Sequence, residues 1–343
     1  MENKEIRIDK FTCEIKKSIY KELCEIWMKN DLSFQVENTY HKGKFSDNSY
    51  KISMNNTKKS KEDILFLLKE LFDIDSSNFD KRFKEACSGS GGEAKKICTI
   101  HSSSLYALLF FFDVSKENPL KLTLNDEVLT FEDVYFEYKN KVIKSPSNVD
   151  IVLVGKNENL EDVVLFLESK FSEYFYPQKT YSISKAYLED EQCKDYYEKE
   201  FLSNMGIEII SKKNGEPNIY LNKHGAKFKI KLKDNGKNYL EGIKQIISHY
   251  IGVKNYLNPI KEKEDERKLP TNAKVYLGTI LFDFDFDKEK DNVLKKYSDL
   301  YQNLAHGLNN KNEGITLLNQ VIKYSDLKEF IKNPKIKKFY FSE

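Results

Sequence analysis

Asp150, followed eighteen residues later by Glu168-Ser169-Lys170, is the part of this chain best suited to chemistry. The surrounding stretch, SPSNVDIVLVGKNENLEDVVLFLESKF (145–171), holds two nearly uncharged apolar runs, IVLV and VVLFL, joined by a polar loop. If the runs pair antiparallel with Asp150 opposite Glu168, then Gly155 falls opposite Val163 and KNENLED makes a seven-residue loop. Opposed residues share a face with Cβ atoms ~4.5–5.5 Å apart, and residues two apart on one strand also share a face. That register gathers Asp150, Glu168 and Lys170 at one spot. Two carboxylates so close repel, and a divalent cation relieves the conflict: Mg²⁺ takes hard oxygen ligands, commonly one or two carboxylates with water and phosphate oxygens. Lys170 would orient a water or offset charge developing on phosphate, which suits metal-assisted hydrolysis of a phosphodiester. The plain alternative is a salt bridge from Lys170 to Asp150 or Glu168.

The elements that must position these residues follow from periodicity and punctuation. Residues 15–29 and 61–73 carry apolar residues at helical spacing, the second behind a Ser60/Asp63 capping signal, and suggest an N-terminal accessory region over 1–87. SGSGG (88–92) marks a break, and residues 88–343 read as one larger domain. In it, a buried helix is predicted from Glu93 to about Phe112, a strand meander within 119–143, then the apolar pair. An aromatic stretch, a charged helix at 189–204 and hairpins around Asn214-Gly215 and His224-Gly225 make an insertion at about 171–237. A helix over 238–257, an apolar strand over 273–282 and a tail of two helices with some strand complete the chain.

The motif Asp150…Glu168-Ser169-Lys170 resembles that of the PD-(D/E)XK phosphodiesterases, the restriction-endonuclease-like nucleases. The predicted order, helix, strands, Asp strand, E-x-K strand, helix, strand, is also similar to the family's α-β-β-β-α-β core. One departure is visible: Asn148-Val149 stand where the family's proline usually precedes the aspartate, with Pro146 further upstream. The resemblance implies an α/β fold with a mixed central sheet flanked by helices, to which this chain adds its N-terminal helical region and inserted hairpins. It further implies that Asp150 and Glu168 hold Mg²⁺ (Mn²⁺ may substitute), that the Ser169 carbonyl is a further ligand, and that Lys170 positions or activates water. Glu93 is the candidate for an additional helix glutamate; otherwise it is a first-turn acid favoured by the helix dipole. The activity implied is type II restriction-like cleavage of DNA, with a homodimer and a separately encoded cognate methyltransferase as possible partners.

Other candidates are weighed against plainer roles. Glu241, Lys244, Gln245 and His249 fall near one face of the predicted 238–257 helix, where Lys244 or Gln245 could touch phosphate or water; such a row is more often a solvated face, and His249 alone reads as structural. Lys179 and Lys185, among the tyrosines of the insertion, together with Lys212, Lys213, Lys227, Lys229 and Lys231, suit a nucleic-acid backbone, or are simply lysines in a lysine-rich chain. Asp283, Asp285 and Asp287 alternate at a strand end and are read as solvated acids. His101 beside Ser102–Ser104 lacks a nucleophile elbow, and SGSGG lacks the Lys-Ser/Thr of a P-loop.

Composition bounds the rest. The 343 residues are 40% hydrophobic and 32% charged, with 56 basic against 54 acidic residues, which excludes a polybasic tail but not a local basic groove. Arg7, Arg82 and Arg267 are the only arginines, so bidentate guanine reading has few agents. Five scattered cysteines, no CxxC pair, no signal-type N-terminus and no long apolar run lead to the expectation of a cytoplasmic protein without membrane or structural zinc. A non-catalytic nucleic-acid or protein-binding module of the same fold is the alternative from another class, and an RNA phosphoesterase a third.

Overall fold

The structure, a computed structural model, describes residues 60–88, 102–143, 146–175, 180–233, 243–258, 265–285, 293–311 and 313–341, with shorter pieces within 18–26, at 35–38, at 50–53 and at 97. The described residues within 18–26 are helical, and after them come a two-stranded pair, β1 (Gln35–Asn38) and β2 (Tyr50–Ser53), and two helices, α1 (Lys61–Phe72) and α2 (Ser77–Ala86). Ser60 and Asp63 close the anticipated capping box on α1, each side chain satisfying the other's backbone N–H. These helices share the main apolar core: Phe72 meets Phe339 with ring centroids 5.2 Å apart, and Phe79 meets Phe112 at 5.1 Å.

The next helix, α3 (Ser103–Phe111), is shorter than predicted. Ser102 Oγ accepts from Leu105 N at 3.2 Å and starts the helix there, while Ile97 lies in a turn. Most of α3 is buried all round, as its uniformly apolar sequence requires. It leads into the meander β3 (Leu120–Leu124), β4 (Glu127–Lys141), β5 (Pro146–Asn157) and β6 (Asp162–Lys170).

An insertion follows: β7 (Tyr181–Ser184), α4 (Ala186–Glu189), α5 (Lys199–Asn204), β8 (Ile207–Ile209), β9 (Tyr220–Asn222) and β10 (Gly225–Leu232). The single charged helix expected at 189–204 is instead α4, a 3₁₀ turn at Lys194–Tyr196 and α5. The chain then continues through α6 (Ile243–Leu257), β11 (Lys274–Leu281), α7 (Val293–Asn309), β12 (Ile315–Leu317), β13 (Ile322–Lys323) and α8 (Pro334–Tyr340).

Two further sheets result. The insertion makes a small antiparallel sheet of order β7-β10-β8, with β9 also on β10. The main, seven-stranded sheet runs β12-β11-β6-β5-β4-β3, with β13 also on β11. Its β3–β6 strands are antiparallel to their neighbours, and β6, β11, β12 and β13 pair in parallel. The molecule is thus a mixed α/β protein with helices flanking a mixed, curled sheet. β6 is its centre: every residue from Val163 to Lys170 is buried, which explains a nearly continuous apolar run and makes the two charges at its end costly.

Between β4 and β5 the pairing shifts at Phe131/Asp133, a bulge. Gly155 sits beside it, where an added Cβ would lie 2.0 Å from the Thr130 carbonyl oxygen, so only glycine lets the strands approach. No helix among the described residues is long and apolar enough to cross a membrane.

Candidate active site

Gly155 pairs with Val163 and Ile151 with Leu167, the anticipated register. The pairing ends there, with Asp150 one residue before Ile151 and Glu168 one residue after Leu167, close enough for their charges to couple. The loop is tighter than the seven residues expected, because Lys156 already pairs with Asp162. Asn157 closes it: its Oδ1 accepts from Asn159 N at 3.1 Å and from Glu161 N at 2.9 Å.

A third carboxylate joins the row. Phe136 pairs with Ile151 and Tyr138 with Val149, which brings Glu137 of β4 level with Asp150. Glu137 is buried and has φ 51°, a left-handed conformation that costs a non-glycine residue about 1 kcal/mol or more. Glu137, Asp150 and Glu168 thus come from three adjacent strands, and both glutamates are near enough to act on the Asp150 charge.

The charges are distributed unevenly among them. Lys170 Nζ donates to Glu168 Oε1 at 2.5 Å and to Gln245 Oε1 at 2.8 Å. His249 Nε2 lies 2.7 Å from Glu168 Oε2, and His249 Nδ1 lies 2.5 Å from Ser147 Oγ. A carboxylate only accepts, so Nε2 carries the proton, and in the neutral ring Nδ1 accepts from the Ser147 hydroxyl. Burial alone would raise the Glu168 pKa, but Lys170 and His249 hold it down to about 2. Lys170 is desolvated too, yet Glu168, Glu173 and Asp150 push its pKa upward and keep it charged.

Asp150 is the opposite case. Burial first, then Glu168 and Glu137, push its pKa well up, opposed by Lys170 and by the Ser169 N–H. Its Oδ2 accepts from Ser169 N at 2.8 Å, while the Ser169 hydroxyl lies 2.9 Å from the Tyr324 hydroxyl. Among the described residues, Asp150 thus has no ion pair comparable to that of Glu168 with Lys170.

The donor types fit a hard divalent ion. Asp150 and Glu168 come from adjacent strands, and the unrelieved repulsion at Asp150 is what an added positive charge would remove. Each Glu168 oxygen already accepts one hydrogen bond, from Lys170 or His249, so an ion there would share the carboxylate with both. Among the described residues no group of three or more His, Cys, Asp or Glu side chains is placed to hold a metal ion, so Glu137, Asp150 and Glu168 do not form a ready-made three-carboxylate cage.

The remaining candidates scatter. Gln245 reaches the site through Lys170, whereas Lys244 is exposed on α6. Lys185 pairs with Glu189 at 2.5 Å. Asp283 accepts from the Ser325 hydroxyl at 2.7 Å and ties down a turn, and the Asp285 N–H donates to Glu22. Glu93, His101, Lys179, Glu241 and Asp287 lie outside the described residues. Sequence reasoning misses Glu137 and Ser147, and His249, read there as structural, is buried against Glu168. A charged residue within the alternating run VYFEYKN was the only available sign of Glu137.

Compared with protein-family models, curated proteins and solved structures, the chain finds no match.

Proposed function

We propose that the protein is a divalent-metal-dependent phosphodiesterase of restriction-endonuclease-like fold that cleaves DNA. The approach of Asp150 to Glu168 across β5 and β6, with Lys170 bonded to Glu168 and electrostatically coupled to Asp150, carries this reading. The chain order α3, β4, β5, β6, α6, β11 supports it, being the order expected of the PD-(D/E)XK core. Asp150, Glu168 and the Ser169 carbonyl would hold Mg²⁺, which supplies an activated water and charge stabilisation at phosphate when bound. Lys170, kept protonated and aimed by Gln245, brings a fixed positive charge to the reacting phosphate. His249 and Ser147 fix the orientation of Glu168.

The test is cleavage of supercoiled plasmid in Mg²⁺ or Mn²⁺ by wild type and by Asp150→Asn, Glu168→Gln and Lys170→Met, each checked for a native circular dichroism spectrum. Loss of cleavage in all three folded variants is expected; cleavage that survives Glu168→Gln ends the assignment.

One observation favours a second reading, a non-catalytic binding module. Both Glu168 oxygens are already engaged by a buried lysine and histidine, as in a purely structural ion pair. In that case Mg²⁺ would leave both the melting temperature and DNA affinity unchanged.

A further inference from the structure

The outer face of the small inserted sheet is strongly basic. Between residues 207 and 233 there are seven lysines and two glutamates, in a chain whose net charge is only +2. Strand β10 is the hub of this sheet, pairing with β7, β8 and β9. Its side chains alternate: Phe228 and Ile230 are fully buried, while Lys227, Lys229 and Lys231 stand partly exposed on the other face. Successive lysines are therefore about 6.8 Å apart, twice the rise per residue.

The neighbours extend the same surface. Ser184 and Tyr220 flank Lys227, Ser182 flanks Lys229, and Glu208 flanks Lys231. Glu208 pairs with Lys231 at 2.7 Å, but no ion pair engages Lys227 or Lys229 among the described residues. The Lys229 ammonium sits 5.3 Å from the centre of the Tyr220 ring. A flat row of lysines around a partly exposed aromatic ring matches a polyanion that carries planar groups. With no arginine on it, the surface has no bidentate base reader, so it tracks backbone rather than sequence.

The sheet is also tied to the candidate site. Directly after β7, Tyr187 of α4 places its hydroxyl 2.7 Å from the Ser248 hydroxyl on α6, next to His249.

We propose that this face binds a single nucleic-acid strand, with Lys227, Lys229 and Lys231 on phosphates and Tyr220 stacking on a base. The proposal rests on the nuclease reading for its purpose, but its test does not require cleavage.

Full-length protein is titrated into fluorescein-labelled dT20, a 20-base-pair duplex or heparin, with EDTA present, over 50–200 mM NaCl. The triple variant Lys227→Ala/Lys229→Ala/Lys231→Ala should bind dT20 at least about tenfold more weakly at 50 mM salt. Its slope of log affinity against log salt should flatten by about 2, at ~0.7 per lost phosphate contact. Tyr220→Ala should weaken dT20 binding by about fivefold or more and the duplex less, since stacking needs an unpaired base. Unchanged affinity and slope in the folded triple variant, or binding to heparin alone, overturns the proposal. Lysine-dependent binding of dT20 by a wild-type protein that cuts nothing upholds this surface and removes the nuclease reading. Asp150→Asn separates the two in the other direction, since it should retain binding while losing cleavage.

Discussion

Lys170 Nζ lies 2.5 Å from Glu168 Oε1, and both side chains are buried at the end of the central strand of the main sheet. Two charges taken from water so completely hold each other in place. Breaking one half of such a pair leaves an uncompensated charge, typically at a cost of about 3–5 kcal/mol.

Lys170→Met should therefore destabilise the fold by about 3–5 kcal/mol in urea denaturation. Adding Glu168→Gln should recover part of that loss, because the stranded carboxylate is removed as well. A double variant as unstable as the sum of its singles contradicts the pairing.

The two carboxyls of the site should respond to pH with opposite signs. Glu168 is held at about 2, below its ordinary value of 4.5. Its contribution is complete above about 4.5 and is lost as pH falls toward about 2. Asp150 is raised above 3.8, so its contribution is complete below 3.8 and is lost as pH rises through its folded value. Asp150→Asn should thus raise the melting temperature at pH 8, where Glu168→Gln lowers it. Scanning calorimetry of both variants at pH 4 and pH 8 checks the sign.

Mg²⁺ should raise the melting temperature of the wild type and of neither Asp150→Asn nor Glu168→Gln. An ion bound only to the folded state contributes about 2.7 kcal/mol at one hundred times its dissociation constant. Differential scanning fluorimetry across a Mg²⁺ and Mn²⁺ series reads this directly, and a flat wild-type curve favours the structural ion pair.

Gly155→Ala should be among the more damaging single-methyl changes in the chain. The new carbon meets backbone, the Thr130 carbonyl oxygen at 2.0 Å, and backbone cannot rotate away as a side chain does. We expect about 1–3 kcal/mol or more of destabilisation and loss of cleavage, since β5 also carries Asp150. Urea denaturation together with the plasmid assay measures both.

The central strand pair was legible in the sequence for a simple reason. Both strands are nearly uncharged apolar runs, and setting the acid at the start of one opposite the acid at the end of the other fixes the register that pairs Gly155 with Val163. The loop is tighter than its sequence suggests because Asn157 adds side-chain hydrogen bonds to its backbone ones, and Leu160 turns through φ 62°. The helix preceding the meander was drawn too long because its apolar content masked the capping role of Ser102. Glu137 and Ser147 were not legible: each reaches the site through pairings or contacts with distant segments. His249 reads as an amphipathic-helix residue until β6 is placed beneath it.

The tyrosine–serine hydroxyl contact between Tyr187 and Ser248 gives the insertion a mechanical purchase on the molecule's centre. Residue 248 is the immediate neighbour of the imidazole that grips Glu168, and Gln245, which steadies Lys170, lies one turn earlier on that helix. The segment that leads out of the small sheet is thus anchored on the same rod that bears both supports of the buried pair.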